Sequence, residues 1–402
     1  MKVGRIAVVV QRYGTEVNGG AESAARWLAE HLTSLAEVHV LTTCAQDYTT
    51  WANVYPAGES TANGVHLHRF PVDVSRRWTQ AQVDTGHFLL SEHTVEEEID
   101  WIRREGPFST GLLAHVRQRA DEYDAFIFFT YLYATTFFCL PLVAHKAILV
   151  PTAHDEPFLY LDAYRALLHL PHHLVFLTRA EKELVQRVSG NGHIPSSVAA
   201  VGLNAPADAS AQRFRQKYGM EGDFLLYGGR ISDAKNVPEL LSFFQRYRAG
   251  RAGPLKLVLM GKPHISLPQH PDVIPIGFVS ERDKFDALRA ASVTVLPSHL
   301  ESLSIIVLEA WLMETPVLVN GRSDVLRQQC RQSDGGLYYT SYDEFAAALD
   351  ILMGSSPLRH KLGQQGRAFV IQQYRDEVII GQYASIMREV VSEMAADTGG
   401  EA

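Results

Sequence analysis

The chain of 402 residues is 46% hydrophobic and 20% charged, with a formal net charge of −8, the make-up of a folded protein long enough for two domains and not of a disordered one. The negative balance excludes a general nucleic-acid or anionic-membrane binder, because either needs a positive surface. Three cysteines, Cys44, Cys139 and Cys330, have no metal-ligand spacing and cannot all pair, which fits a reducing compartment.

Strand-like and helix-like runs alternate along the chain, the pattern of a parallel α/β sheet. The β-branched run at 6–10 is too short for a signal peptide and reads as the first buried strand. The loop after it ends in Asn18-Gly19-Gly20, and a helix follows through Ala24, Ala25, Leu28, Ala29 and Leu32. Glycines at a strand-to-helix turn let backbone approach a phosphate or sugar, although many such loops are only turns. A strand at 38–42, a hairpin around Asn63-Gly64 and a strand at Val65–Phe70 come next. Residues 76–122 read as mostly helical, with Trp101, Ile102, Leu112, Leu113 and Val116 buried. Arg76, Arg77, Arg103, Arg104, Arg117 and Arg119 lie here, nearly cancelled by seven acidic residues between 84 and 105, so a solvated face is expected in place of a lipid-headgroup site.

Residues 126–144 hold about enough apolar side chains for a membrane span. Pro141 and several Thr and Tyr instead divide the region into a strand (Ala125–Phe129), a helix over 133–142 and a strand (Ala147–Val150). The hydroxyls of Thr130, Tyr131, Tyr133, Thr135 and Thr136 either line an acceptor pocket or are satisfied internally. His154-Asp155-Glu156, between Pro151 and Pro157, sets three ionisable groups at a strand end, where a core role is hard to justify. A strand at 174–177 runs into Thr178-Arg179-Ala180-Glu181, a capping box that makes Glu181 structural. A strand at 198–201 closes the first half, and the small, polar stretch 202–210 is a suitable linker, placing the boundary near 203.

The second half repeats the alternation. A strand at 224–227 leads into Gly228-Gly229-Arg230, with Lys235 five residues on, and then a helix with Val237, Leu240, Leu241, Phe244 and Tyr247 on one face. Two cations at a glycine-rich strand end suit a diphosphate and neutralise the charge that develops on a departing nucleotide. A strand at Lys256–Met260, a turn at Gly277-Phe278-Val279, a helix over 285–291 and a strand at Val293–Leu296 precede the central stretch, 297–316. A helix starting there near Leu303 leaves Glu301 in the preceding loop and Glu309 about two turns in, both facing the crevice at the carboxyl ends of parallel strands. The N–H groups of Leu303, Ser304 and Ile305 are then free donors for an anion. Taken alone, the stretch also reads as an amphipathic core helix with one solvated Glu. A strand at 316–320, a loop at 320–324 and an apolar return at 335–339 follow. Residues 343–395 read as helical with a break at 355–357; the last helix starts near Asp376, and the tail 395–402 is expected to fray.

The Glu301-x7-Glu309 spacing, with Pro297-Ser298 before it and Glu314-Thr315-Pro316-Val317 after it, resembles the glycosyltransferases of family 4, retaining enzymes of the GT-B fold. The resemblance covers most of the chain: Gly19-Gly20, His154, Arg230 with Lys235, and the Glu pair stand in the family's order. It implies an α/β chain of two Rossmann-like domains facing across a cleft: an acceptor domain at 1–202, a donor domain at 203–375, and a helix in 376–402 returning to the first domain. By the same resemblance Glu301 meets the donor sugar and Glu309 the ribose hydroxyls. Gly19-Gly20 approach the donor diphosphate, His154 hydrogen-bonds the transferring sugar, and Arg230 and Lys235 hold the leaving group. Backbone at Val279 pairs with the nucleobase edge, and Asp155 or Glu156 orients His154 or contacts the acceptor. One departure is Trp311-Leu312-Met313-Glu314, where many members carry smaller residues and a Gly before Thr-Pro, which bears on how that helix end packs.

The implied activity is transfer of a sugar from a UDP- or GDP-sugar to a carbohydrate, lipid-linked or small-molecule hydroxyl, in polysaccharide or glycoconjugate assembly. The alternatives are a GT-B sugar-nucleotide epimerase and a non-catalytic nucleotide-sugar-binding protein. The sequence contains no Asp-x-Asp, so no metal and no cofactor is expected, with the two cations and a helix N-terminus as leaving-group stabilisers. No nucleic-acid partner is expected, and the location implied is cytoplasmic, at most peripheral at the inner face of the membrane.

Overall fold

Continuous apolar runs form the strands because both faces of a parallel sheet are covered by helices. The computed structural model describes residues 4–17, 19–76, 78–204, 206–251 and 253–399, leaving aside the side chains of 78–80 and 395–399. Asn18, Arg77, Ala205 in the expected linker and the end of the tail, 400–402, lie outside the described residues. Packing divides the chain into two units, 1–201 with 377–402, and 202–376.

Unit 1 runs β1 (Arg5–Val9), α1 (Gly20–Leu32), β2 (Glu37–Thr43), β3 (Gly58–Ala62), β4 (Val65–Phe70), α2 (Trp78–Leu90), α3 (Val95–Glu105), α4 (Thr110–Arg119), β5 (Ala125–Phe129), α5 (Ala134–Cys139), β6 (Ala147–Val150), α6 (Asp162–Leu167), β7 (His173–Phe176), α7 (Arg179–Ser189) and β8 (Ser196–Val198). Its eight strands lie in the order β3-β4-β2-β1-β5-β6-β7-β8. Only β3 is antiparallel to its neighbour, through the Asn63-Gly64 turn, whose two positive φ values (48° and 81°) suit the tight hairpin. The order reverses between β1 and β5, so the loops after these two strands open at a topological switch point.

Unit 2 runs α8 (Ala211–Tyr218), β9 (Phe224–Gly228), α9 (Val237–Ala249), β10 (Lys256–Met260), β11 (Val273–Gly277), α10 (Glu281–Ala290), β12 (Val293–Leu296), α11 (Ile305–Leu312), β13 (Val317–Asn320), α12 (Asp324–Ser333), β14 (Gly336–Tyr339), α13 (Tyr342–Gly354) and α14 (Ser356–Gln373). All six strands are parallel, in the order β11-β10-β9-β12-β13-β14, with the reversal between β9 and β12. The last helix, α15 (Asp376–Gly399), packs into unit 1, where it buries Ile379, Tyr383, Ile386, Met387 and Val390. His172 Nε2 lies 2.7 Å from Glu393 on this helix.

Several boundaries differ from the sequence expectation. The strand read at 198–201 is β8, two residues earlier; Ala199, Ala200 and Val201 are apolar because they are buried without being a strand. The helix read over 133–142 stops at Cys139, and Pro141 opens a short 3₁₀ stretch in its place. The helix read over 285–291 starts at Glu281, where Ser280 Oγ accepts the Asp283 N–H at 3.1 Å; its polar first turn concealed it from an apolar pattern. The region weighed as a membrane span is a buried strand and short helical turns, and among the described residues no helix is long and apolar enough to cross a membrane. Arg76 is no solvated face: it pairs with Glu105, donates to the Tyr48 carbonyl and lies 5.0 Å from the Trp51 ring.

Trp311 is fully buried, with its indole N–H donating to the Gly335 carbonyl at 2.8 Å. A Cβ on Gly366 would sit 2.2 Å from Trp311 Cδ1, so glycines elsewhere make room for the larger ring. Glu314 takes the left-handed backbone (φ 61°) and is held by Arg367 at 2.6 Å. All three cysteines are unpaired and buried.

Candidate functional site

In unit 2 the two loops flanking the switch point meet. Lys235 follows β9 and Glu301 follows β12; the Lys235 ammonium donates to Glu301 Oε1 at 2.7 Å. Asn236, in the left-handed region at φ 55°, bonds through Nδ2 to Glu239 Oε1 (2.9 Å) and to the Pro297 carbonyl (3.2 Å). Asn320 at the end of β13 donates to the same two acceptors, each at 3.1 Å. The Pro297 loop is thus tied to the start of α9, which fixes the distance between Lys235 and Glu301. No sequence signal marked Glu239, Asn236 or Asn320 for this.

Arg230 is exposed, and its carbonyl accepts the buried Tyr227 hydroxyl at 2.6 Å. Burial, then nearby Glu301, pushes that phenol well above its usual range, so it stays a neutral donor. The loops after β9, β10 and β11 are stitched together: Gly261 N–H donates to the Gly277 carbonyl at 2.8 Å and Ile231 N–H to the Lys262 carbonyl at 3.1 Å. Gly261, at φ 144°, could carry no side chain, since a Cβ would lie 1.8 Å from the Gly229 carbonyl oxygen.

The helix expected near Leu303 begins at Ile305, with Ser304 as its N-cap. Leu303 and Ser304 are therefore buried loop residues, and only Ile305 of the three expected N–H donors belongs to the helix's first turn. Glu309 is 5% exposed, so it faces inward, as the helix pattern required. It meets a partner that the sequence did not announce: Lys284 on α10 donates to Glu309 Oε1 at 2.5 Å and to Glu281 at 2.7 Å. Burial raises the Glu309 carboxyl above the usual range, and Lys284 only partly offsets this. Burial pulls Lys284 down, but Glu309 and Glu281 leave its ammonium above the ordinary value. Val279 is half-buried in the turn between β11 and α10, directly before the α10 N-cap Ser280 and five residues from Lys284.

In unit 1, Gly19 is the N-cap of α1, and a Cβ there would lie 2.0 Å from Glu22 Oε2, whereas one on Gly20 would meet nothing within 4 Å. Glu22 itself is buried, paired with Arg12 and accepting from Gln11 Nε2 at 2.8 Å. The glycine loop thus borders a neutralised buried ion pair. His154 follows β6; its Nδ1 lies 3.5 Å from Glu156 Oε1, which also accepts the Tyr131 hydroxyl at 3.0 Å. Asp155 is exposed and accepts from Tyr160 at 2.7 Å, so Glu156 is the carboxylate nearer to His154.

Glu181 is fully enclosed. Thr178 Oγ1 caps its N–H at 3.1 Å, and a backbone hydrogen bond from Thr178 is among those its carboxylate accepts, the reciprocal pattern of a capping box. It accepts from Ala153 N–H and Leu177 N–H, both at 2.7 Å, pinning the segment ahead of His154. Burial outweighs those donors and pushes its carboxyl up to about 7.

The hydroxyls at 130–136 are mostly satisfied inside the unit. Thr130 and Thr152 bond to each other at 3.0 Å, Thr136 donates to the Phe129 carbonyl at 3.2 Å, and Tyr131 reaches Glu156. Thr130 (φ 69°) and Thr152 (φ 53°) hold a left-handed backbone that β-branched residues disfavour, at adjacent strand ends. Strain of that kind concentrates at functional loops.

Residues 208–369 match the family model for glycosyl transferases group 1. A D-inositol 3-phosphate glycosyltransferase from Frankia alni is 30% identical over 186 residues, 40% of this chain and 45% of that protein. The chain spans about half the length of the curated relatives it matches. Among solved structures, sucrose-phosphate synthase from Thermosynechococcus elongatus superposes with a TM-score of 0.72 at 16% identity, covering 97% of this chain and 99% of that one. HepE from Anabaena, solved with UDP and glucose, gives 0.69 at 14% identity, covering 96% and 99%. The chain accordingly has the GT-B fold, and its residues 208–369 match glycosyl transferases group 1.

Proposed function

We propose that the chain is a retaining, metal-independent glycosyltransferase that moves a hexosyl group from a UDP- or GDP-sugar to a hydroxyl acceptor, carbohydrate, lipid-linked or small-molecule, in polysaccharide or glycoconjugate assembly. Unit 2 holds the donor and unit 1 the acceptor. The observation that carries this reading is the Lys235–Glu301 pair, 2.7 Å apart where the strand order of unit 2 reverses, the position at which open α/β sheets bind ligands. The relatives named as glycosyltransferases and the UDP-bound HepE agree with it.

In this reading a donor diphosphate takes the Lys235 ammonium, with Arg230 beside it, and frees the Glu301 carboxylate to accept from sugar hydroxyls. Glu309, held by Lys284, accepts from the ribose, and backbone at Val279 meets the base. The N–H groups at the start of α11 face the anion together with the two cations. The bond from the anomeric carbon to the diphosphate oxygen breaks, and the bond to the acceptor oxygen forms on the same face. The acceptor proton passes to the departing phosphate oxygen, so no base from the chain is needed. His154, backed by Glu156, hydrogen-bonds the transferring sugar, and the backbone at Gly19 and Gly20 approaches the donor diphosphate.

The test is a thermal-shift and turnover panel of UDP-, GDP-, ADP- and dTDP-sugars, with and without EDTA, on the wild type and Glu309→Ala. Lys284 keeps Glu281 as a partner, so this variant retains a paired ammonium. One donor should stabilise the wild type, survive EDTA and lose its effect in the variant. Failure of every donor to shift the melting point would end the donor-site assignment; an epimerised sugar released without acceptor would convert it to the epimerase reading.

A further inference from the structure

The amino end of the unit 1 sheet carries a cluster of imidazoles for which sugar transfer has no use. Register sets His39 on β2 beside His66 on β4, and Glu59 on β3 opposite His68. Side chains alternate along a strand, so Glu37, His39, His66, His68 and Glu59 share one face. His39 is buried, with Nε2 2.9 Å from Glu37 Oε1 and Nδ1 2.9 Å from His68 Nε2. His68 Nδ1 lies 3.3 Å from Glu59 Oε1, and the His39 and His66 rings stack at 4.8 Å. One donor atom from each of Glu37, His39 and His66 falls within 4.8 Å of the other two.

We propose that Glu37, His39 and His66 form a binding site for a divalent transition-metal cation, best matched to Zn²⁺, in which Glu59 and His68 support His39 from behind. Two imidazoles and a carboxylate are the ligand types Zn²⁺ takes, with the fourth position left to water. Ligands about 2.0–2.2 Å from one ion stand roughly 3.3 Å apart in a tetrahedron, close to the existing 2.9 Å between His39 Nε2 and Glu37 Oε1. The ion replaces the proton between those two atoms, and the exposed His66 needs only a small swing to join them. His39 Nδ1–H then donates to His68 Nε2, and His68 Nδ1–H to Glu59, a chain that fixes the ligand's tautomer.

The nearby cations are already matched. Arg5 contacts both Glu37 and Glu122 at 3.1 Å, and Arg119 lies 2.6 Å from Glu122 and 3.8 Å from Glu59. Arg5 competes for Glu37, which weakens the affinity. The ion would clip β2 to β4 at the end of the sheet away from the His154 loop, so it acts on stability and leaves turnover alone.

The experiment uses untagged full-length chain stripped with EDTA and titrated with Zn²⁺ by calorimetry and thermal shift, with Co²⁺ absorption as the report on coordination. The expected result is one equivalent bound, with the melting temperature up by about 5 °C at a hundredfold excess over Kd. His66→Ala and Glu37→Gln, both exposed positions, should each weaken binding by about tenfold or more and abolish the Co²⁺ visible bands. No uptake by the wild type, or equal uptake by His66→Ala, overturns the proposal. Neither outcome bears on the transferase reading, because turnover is not part of the readout.

Discussion

Replacing Lys284 with Met keeps the length of the side chain and removes the charge 2.5 Å from Glu309. At an effective dielectric constant of about 20, the lost attraction is worth about 7 kcal/mol. That exceeds the cost of protonating the carboxylate, about 1.36 × (7.5 − 4.3) ≈ 4 kcal/mol at pH 7.5, so Glu309 takes up a proton and that cost is the ceiling. At pH 5.5 the same ceiling falls to about 1.6 kcal/mol. The sign follows from the direction of the shift: a carboxyl raised in the folded state contributes most at low pH and loses that contribution as pH rises. Urea unfolding of Lys284→Met should therefore show a loss of up to about 4 kcal/mol at pH 7.5, shrinking below about 2 at pH 5.5. Under the proposed function a protonated Glu309 would offer the ribose a neutral partner in place of a charged acceptor, which should weaken donor binding about tenfold by calorimetry. Equal destabilisation at the two pH values, or none at either, would refute the claim that Lys284 holds a buried carboxylate ionised.

Three further outcomes test other parts of the chain. Arg230→Ala, at an exposed position, should leave the unfolding midpoint unchanged and lower kcat by about 10²-fold; unchanged turnover would remove Arg230 from the leaving-group site. Gly261→Ala forces a Cβ toward the Gly229 carbonyl at φ 144° and must displace the loop that carries Arg230. It should cost more than about 2 kcal/mol in urea unfolding and weaken donor binding with it. Glu181, pushed up to about 7 by burial, makes its contribution to stability below about pH 4.3 and loses it as pH rises through 7. Glu181→Gln loses one acceptor for the Ala153 and Leu177 N–H groups, so the wild type should lead it at pH 4.5. That lead should narrow by about 3 kcal/mol by pH 8, and a gap that stays flat with pH would show the carboxyl to be ionised throughout.

The strands of both units were legible because parallel strands, covered on both faces, are continuous apolar runs such as Leu257–Met260 and Val317–Val319. The charged motif was legible because Arg230, Lys235 and Glu301 sit at strand ends, where apolar patterning stops and ionisable groups stand out. Their partners were not. Lys284 is 25 residues from Glu309, and Glu239 is 81 from Asn320; no periodicity links positions so far apart, and each reads alone as a solvated helix charge. The start of α10 was missed for the same reason, since Glu281-Arg282-Asp283-Lys284 has no apolar face in its first turn. The helix-end departure at Trp311 resolves through Gly335 and Gly366, 24 and 55 residues further on, which only the packing could reveal.

The electrostatics of unit 2 have a consequence for binding. Lys235 lies against Glu301 and Lys284 against Glu309, so both carboxylates are matched before any donor arrives. The two pairs differ in what a donor can do to them. The Lys284–Glu309 pair is the more buried, with side-chain exposures of 21% and 7%, and breaking it would strand a charge in low dielectric, so under the proposed function it stays paired when a donor binds. In the Lys235–Glu301 pair the cation is 25% exposed and ends the short 3₁₀ turn 233–235, so under the proposed function exchanging its carboxylate for a phosphate would keep the ammonium paired throughout. Only the Glu301 carboxylate is left to be satisfied, and under the proposed function that falls to a sugar hydroxyl. A nucleoside diphosphate without the sugar supplies the phosphate and not that hydroxyl. The intact donor should therefore bind more tightly than its nucleotide in the wild type, and that advantage should vanish in Glu301→Ala.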